Sequence, residues 1–359
     1  LKTFTVTLWN KNEYTYPMAC GFIPSLRGYL HDDTAVRHPC MIVAPGGGYC
    51  VVAPTEGEIV ARKFYEKGFN AFVLTYTTNL LMNCPVKDQA LRDISRAVRI
   101  VRSRAEEYGI LPDKTVVCGF SAAAHVCASL CVHGQDVREE DAVLRGISNR
   151  PDAALLCYPV ITTGKYAHEG SVQALLGVET VPGEMDPATG KARCRCTGTP
   201  EELEYWSLEK QVTSTCPPCF VWQTATDDCV PVQNSYLFAE ALQRAGVPYA
   251  LHIFTEGHHG LSLANAEWSE GHFGEPYTMA QTFAVMEALR RKTGMQNVPD
   301  SPDLSGVPDT ALQELEAQFD PSRPSGFAWD PETNRPNAEV AVWPELAQAW
   351  MAENLLNVQ

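Results

Sequence analysis

Val116-Val117-Cys118-Gly119-Phe120-Ser121-Ala122-Ala123-Ala124-His125 reads as a short apolar strand, a sharp turn of small residues around one serine, and then a helix. Such an elbow holds a serine hydroxyl clear of the backbone at the C-terminal edge of a sheet. Small residues two before and two after the serine let the turn close without side-chain collisions. The pattern is Gly-x-Ser-x-Gly with Ala123 in place of the second glycine. A serine between a strand and a helix also serves as a plain N-cap, so the stretch offers either a nucleophile or a cap.

Apolar runs and helical periodicities alternate on both sides of the elbow. Residues 40–45 form a buried strand by their apolar run and lead into Gly46-Gly47-Gly48-Tyr49. Glycines after a strand make either a loop or a backbone able to approach a substrate and aim its N–H groups inward. Helical spacing over 56–67 is closed by Gly68, and 71–76 is the next buried strand. The spacing predicts a long amphipathic helix over 88–108, with Leu91, Ile94, Val98 and Val101 on one face. Its arginines, interleaved with Asp93, Glu106 and Glu107, read as a solvated face and not as a nucleic-acid stripe.

Strands are expected at 115–119, 153–158, 219–224 and 249–254, and a helix at 232–245. Strands alternating with helices at this spacing imply an α/β fold with a mostly parallel, doubly wound sheet. Residues 160–205, rich in Gly, Pro, Thr and charge, read as an irregular cap inserted over the site. The alternation of Phe4, Val6 and Leu8 with threonines makes the first ten residues an edge strand and not a signal peptide. The expected organisation is a catalytic domain over 1–296, a Pro-rich acidic extension over 297–343 with a short helix at 310–319, and a closing helix over 344–359 packed on the core. A helix at 276–292 precedes the extension.

Bulk composition narrows the function classes. At 359 residues, with 45% hydrophobic and 20% charged residues, the chain can bury a large core. Its net charge of −15 argues against nucleic acid and anionic membranes as partners and is compatible with a neutral substrate. No run of about 18 apolar residues is present to span a membrane. Several of the 13 cysteines lie in apolar stretches, where a thiol acts as a small hydrophobe; the expectation is a reducing, cytoplasmic compartment. Cys194 and Cys196 with Cys216 and Cys219 could form a four-thiolate zinc site, although Cys-x-Cys is not the usual zinc-ribbon spacing.

A nucleophilic serine needs a base, an acid that orients the base, and N–H donors for the oxyanion. The loop after strand 219–224 carries Asp227-Asp228, and the loop after strand 249–254 carries His258-His259-Gly260. Each residue alone has a plain alternative: a turn aspartate, an inert surface histidine. Their order after the serine, each on a loop following a strand, is the order serine, acid, histidine that this fold class requires.

As a set, these and other segments resemble α/β-hydrolase carbohydrate esterases of the acetyl-xylan-esterase-like, BD-FAE type. The resemblance runs through Pro45-Gly46-Gly47-Gly48-Tyr49, Glu56-Gly57-Glu58, Gly119 to His125, Arg150-Pro151-Asp152 and Cys157-Tyr158-Pro159-Val160. It continues in Leu175-Leu176-Gly177, Pro217-Pro218, Thr226-Asp227, Val230-Pro231 and His259-Gly260-Leu261, and covers roughly residues 38–265. It implies an α/β-hydrolase fold and removal of small acyl groups, chiefly acetyl, from sugars. Carried onto this sequence, it makes Ser121 the nucleophile, Asp227 the acid with Asp228 as its understudy, and His259 the base in preference to His258.

The oxyanion donors it implies are the backbone N–H groups of Gly47 or Gly48 and of Ala122. Pro45 stands where lipases carry histidine, a variant of this branch, and His125 is a packing or hydrogen-bonding residue. Tyr49 and Trp222 form either a sugar-facing wall or core. The expected partner is an acetylated oligosaccharide; no cofactor or metal is required, and a homo-oligomer is compatible with the reading. The alternatives are a serine peptidase or general carboxylesterase using the same residues, or a non-catalytic binding protein.

Overall fold

Apolar runs flanked by turn residues become ten strands in the computed structural model, which describes residues 1–33, 36–185, 192–292, 304, 307–323 and 325–356. In chain order they are β1 (Lys2–Thr7), β2 (Ser25–Leu30), β3 (His38–Ala44), β4 (Asn70–Thr75), β5 (Ile110–Phe120), β6 (Ala153–Cys157), β7 (Val178–Met185), β8 (Ala192–Cys196), β9 (Cys219–Thr224) and β10 (Tyr249–Phe254). β7 and β8 form a separate antiparallel hairpin. The other eight form one sheet in the order β1-β2-β4-β3-β5-β6-β9-β10. β2 is antiparallel to both its neighbours, and all pairings from β4 to β10 are parallel.

The helices are α1 (Glu58–Glu66), α2 (Gln89–Ser103), α3 (Ala122–His133), α4 (Glu169–Leu176), α5 (Pro200–Tyr205), α6 (Gln233–Arg244), α7 (Ala266–Ser269), α8 (Ala280–Arg291), α9 (Asp309–Gln318) and α10 (Trp343–Met351). They cover both faces of the sheet, which explains why the central strands are apolar on both sides rather than alternating. In β3, Cys40 and Ile42 face a core shared with Leu91, Ile94 and Val98 of α2. Met41 and Val43 face the opposite core, with Val60 and Phe64 of α1 and Trp343 of α10. This is the α/β-hydrolase fold. Because the parallel strands share a direction, the loops after β3, β5, β9 and β10 open at one edge of the sheet.

Three expectations need correction. The helix expected over 88–108 stops at Ser103, and Gly109, at φ +61°, turns the chain into β5. Its basic face is solvated only in part: Arg104 is exposed and Arg92 half-buried, but the middle of the face is covered. Arg96 and Arg99 are buried: Arg96 forks onto Glu139 at 2.7 and 3.2 Å and lies 4.0 Å from the centre of the Trp9 ring. Arg99 donates to the carbonyls of Leu144 and Ile147, and Arg102 to Asp152. Asp93, also buried, accepts from Trp9, Gln89 and twice from Thr77. The partners of the arginines come from segments 1–16 and 134–152, whereas Asp93 also draws on Thr77 after β4 and on Gln89 of α2 itself.

The stretch 160–205, expected to be irregular, contains α4, the β7–β8 hairpin and α5; residues 186–191 lie outside the described residues. Two local signals form those helices. His168 caps α4 by accepting the Ser171 N–H, and Thr199 and Glu202 make a reciprocal capping box for α5. Of the expected extension and closing helix, 297–303, 305–306, 324 and 357–359 lie outside the described residues, as does the boundary at 296. α10 is followed by a wider turn over Ala352–Leu356. The strip before α10 runs against the loop that follows β10: Asn337 donates to the Glu256 carbonyl, and Glu339 accepts from Thr255.

Candidate active site

The elbow at the end of β5 is shaped by what cannot fit there. A Cβ on Gly119 would lie 2.4 Å from the Ala123 carbonyl oxygen and 2.7 Å from the Ala124 Cα, so α3 packs down only on glycine. Ala123 itself is fully buried, and its single methyl is accommodated without displacing the turn. Ser121 sits at φ 53°, ψ −120°, a conformation non-glycine residues rarely adopt and one that costs about 1–3 kcal/mol. It is held by the Ser121 N–H donating to the Cys157 carbonyl and the Val160 N–H donating to the Ser121 carbonyl.

From that turn the Ser121 Oγ lies 2.8 Å from His259 Nε2. His259 Nδ1 lies 2.8 Å from Asp227 Oδ2. With Nδ1–H donated to the carboxylate, Nε2 is left as the acceptor for the serine hydroxyl. The other oxygen of Asp227 accepts the N–H groups of Cys229 at 3.0 Å and Val230 at 2.8 Å, and Gln223 donates to Oδ2. Burial pushes the Asp227 carboxyl up, but the bond and charge of His259 and the two backbone N–H groups outweigh it and leave it below its ordinary value. Asp228 faces away and accepts the His259 backbone N–H at 2.9 Å. The His258 ring contacts the His259 carbonyl and not Ser121.

Facing Ser121 is the glycine loop. A Cβ on Gly46 would lie 3.0 Å from the Ser121 Cβ, and one on Gly47 2.3 Å from the Val51 carbonyl oxygen. Gly47 and Gly48 have φ of +127° and +66°. Their N–H groups and that of Ala122, the first residue of α3, have no acceptor among the described residues. Three free donors beside a hydroxyl–imidazole–carboxylate chain can stabilise an oxyanion formed when a serine oxygen adds to a carbonyl.

Residues 27–242 match the BD-FAE family model. The chain belongs to the BD-FAE family. It is 49% identical over 289 residues to endo-1,4-beta-xylanase B of Butyrivibrio fibrisolvens, covering 80% of this chain and 42% of that protein. It is 27% identical over 240 residues to an acetylxylan esterase of Xylanibacter ruminicola, covering 65% of this chain and 42% of that protein. The chain thus spans about half the length of the curated relatives it matches. Among solved structures, the acetyl ester-xyloside bifunctional hydrolase of Caldicellulosiruptor lactoaceticus is 37% identical with a TM-score of 0.63, covering 75% of this chain and 94% of that one.

Tyr49 and Trp222, offered as either a sugar-facing wall or core, lie in the core of this BD-FAE chain, and His125 makes the hydrogen bonds expected of it. Tyr49 and Trp222 are both buried and form no sugar-facing wall. The Tyr49 hydroxyl donates to His125 Nδ1 at 2.8 Å, and Trp222 is enclosed by Tyr158, Phe254 and Trp343. His125 donates from Nε2 to the Trp206 carbonyl, and burial pushes it down to about 4, so it is a neutral tie between α3 and the end of α5. The four sulfurs considered for zinc do not converge. The free thiols of Cys216 and Cys219 hydrogen-bond with that of Cys131, Cys196 contacts Val172 and Gly198, and Cys194 is exposed.

Sequence reasoning gave no site role to His168, Ser171, Glu56 or Tyr158. His168 lies 3.3 Å from the Cys229 sulfur and 2.8 Å from the Ser171 Oγ, and Ser171 in turn faces Gly48. Burial, followed by the charge of nearby His259, pushes His168 below its usual value. Nothing in its local sequence marks it, because the loop that brings it to the site is remote in the chain. Glu56 and Tyr158 stand in motifs of the resemblance, but a glutamate just before a helix reads as an ordinary charge complementing the dipole.

Proposed function

We propose that this protein is a serine esterase that removes acetyl groups from the hydroxyls of xylan-type oligosaccharides through an acyl-enzyme. The observation that carries the reading is the chain of 2.8 Å contacts from Ser121 to His259 to Asp227, facing unsatisfied glycine-loop N–H groups. Ser121 Oγ adds to the ester carbonyl as His259 Nε2 takes its proton, and Asp227 holds the imidazole tautomer and favours the imidazolium. The N–H groups of Gly47, Gly48 and Ala122 receive the oxyanion. His259 then returns the proton to the departing sugar oxygen, and water, activated by the same imidazole, releases acetate from Ser121.

The substrate class is supported by the names of the relatives, a xylanase, an acetylxylan esterase and an acetyl ester-xyloside hydrolase. In this reading the segment 160–205 covers the site, with His168 and Ser171 presenting polar groups to the sugar. The chemistry needs no cofactor. Among the described residues no helix is long and apolar enough to cross a membrane. A cytoplasmic location is supported by 13 cysteines, all unbridged.

The test is acetate release from a panel of acetylated xylo-oligosaccharides, with an aryl acetate alongside and Ser121→Ala as control. Sugar deacetylation that falls by about 10³-fold or more in Ser121→Ala is expected. Aryl-ester turnover without sugar turnover would leave a general carboxylesterase. Silence on both would leave a peptidase or a binding protein, and full activity in Ser121→Ala would overturn the nucleophile.

A further inference from the structure

Glu56 joins two walls of the site. Only 4% exposed, it accepts the Gly46 N–H on Oε2 at 2.6 Å and the Tyr158 hydroxyl on Oε1 at 2.6 Å. The Tyr158 oxygen in turn accepts the Ser262 N–H at 3.0 Å, three residues past His259. The Tyr158 ring stands edge-on to the His259 imidazole, with centroids 5.0 Å apart. One carboxylate therefore grips the first glycine of the oxyanion loop and, through one phenol, the loop that carries the base.

Among the described residues no lysine or arginine offsets this buried charge, and the cationic group acting on Glu56 is His259. The other titratable groups around it are Tyr158 and Cys157 at the end of β6 and Tyr76 after β4. Burial raises all three well above their usual values, so they remain neutral. Burying a carboxylate without a permanent cation is costly. Burial pushes Glu56 up, opposed by the donors Tyr158 and Gly46 and by His259.

We propose that Glu56 is a positioning residue for catalysis: it fixes the glycine loop through Gly46, and its negative charge favours the His259 imidazolium formed as Ser121 loses its proton. Asp227 supports the imidazolium from the Nδ1 side, and Glu56 adds a second negative charge near the same ring. The inference rests on the serine-esterase reading above.

A merely structural carboxylate and this one differ in the pH profile. In Glu56→Gln the side-chain carbonyl can still accept from Gly46, so the shape survives and the charge is lost. On an aryl acetate, kcat should fall about 10- to 100-fold with KM changed less than about threefold. The acid limb of the kcat/KM profile should move down by about half a pH unit or more, because the imidazole loses a neighbouring anion. Tyr158→Phe removes a donor that keeps Glu56 ionised, so its acid limb should move down as well, by a smaller amount. Parallel downward shifts, larger in Glu56→Gln, support the proposal.

An acid limb unmoved in either variant, or wild-type kcat in Glu56→Gln, overturns it. Should Glu56→Gln fail to fold, the Tyr158→Phe profile decides alone by the same criterion. Full activity in Ser121→Ala sinks the esterase reading and this inference together. An inactive Ser121→Ala beside an unaltered Glu56→Gln sinks this inference alone.

Discussion

Trp343, the first residue of α10, stacks on Trp222 of β9 with ring centroids 5.5 Å apart, and its indole N–H donates to the Ser262 carbonyl at 2.8 Å. The C-terminal helix is thereby built into the core beneath the histidine loop. Trp343 also meets Phe64 of α1 and Phe120 of the elbow strand. Trp343→Ala would leave a cavity between three aromatic rings and one unpartnered carbonyl. Its expected cost is about 3–5 kcal/mol, read as a lowered midpoint in urea unfolding. A loss below about 1 kcal/mol would mean that α10 is dispensable to the core.

Arg96 and Glu139 form a forked ion pair in which both side chains are nearly inaccessible, at 3% and 4% exposure. Arg96→Met leaves Glu139 buried beside an apolar chain and should cost about 3–5 kcal/mol. The double variant Arg96→Met with Glu139→Gln removes the stranded charge and should recover most of that loss. Glu13, the second partner of Arg96, is 43% exposed and can turn to water. Equal destabilisation in the single and double variants would show that packing on Trp9, and not charge pairing, is what Arg96 supplies.

That pair also marks where the sequence stops being legible. The parallel strands and the loops bearing Ser121, Asp227 and His259 were readable because each is announced locally, by an apolar run followed by turn residues. Arg96 was not. Its helix has the spacing of an amphipathic surface helix, and only segments distant in the chain, through Trp9 and Glu139, reveal that the basic side is covered. Tyr49 and Trp222 stayed open between wall and core for a related reason: an aromatic at a strand end looks the same from sequence whether it faces a cleft or a second aromatic layer. The stretch 160–205 misled through its composition, yet Thr199 and Glu202 carried a legible helix start.

Gly47 and Gly48 separate two demands on the glycine loop. At Gly47 both the φ of +127° and the 2.3 Å approach of a Cβ to the Val51 carbonyl oxygen exclude a side chain. Gly47→Ala must shift the loop, and the expected result is a fall in kcat of about 10²-fold as the donors move away from the oxyanion. At Gly48 the φ is +66° and the nearest atom to a Cβ is the Ser171 Oγ at 4.0 Å. Gly48→Ala should cost about 1 kcal/mol of stability and keep kcat within about tenfold. Steady-state kinetics with urea unfolding on both variants checks the contrast; equal losses of kcat would place the demand on flexibility and not on fit.

Asp227 and Asp228 are neighbours in the chain with different partners, and the same substitution should separate them. In Asp227→Asn the amide oxygen can keep the N–H groups of Cys229 and Val230, which Oδ1 now accepts. That choice turns the amide nitrogen toward His259 Nδ1 and forces the imidazole proton onto Nε2, where it points at Ser121. The hydroxyl then has no acceptor, and kcat should fall by about 10³- to 10⁴-fold with little change in KM. In Asp228→Asn the side-chain oxygen can still accept the His259 backbone N–H, so kcat should stay within about tenfold. The measurement is kcat and KM on an aryl acetate for both variants. If Asp228→Asn were the one to collapse while Asp227→Asn worked, the orienting carboxylate would have to be reassigned, because only loss of the correct imidazole tautomer predicts so large a drop at constant KM.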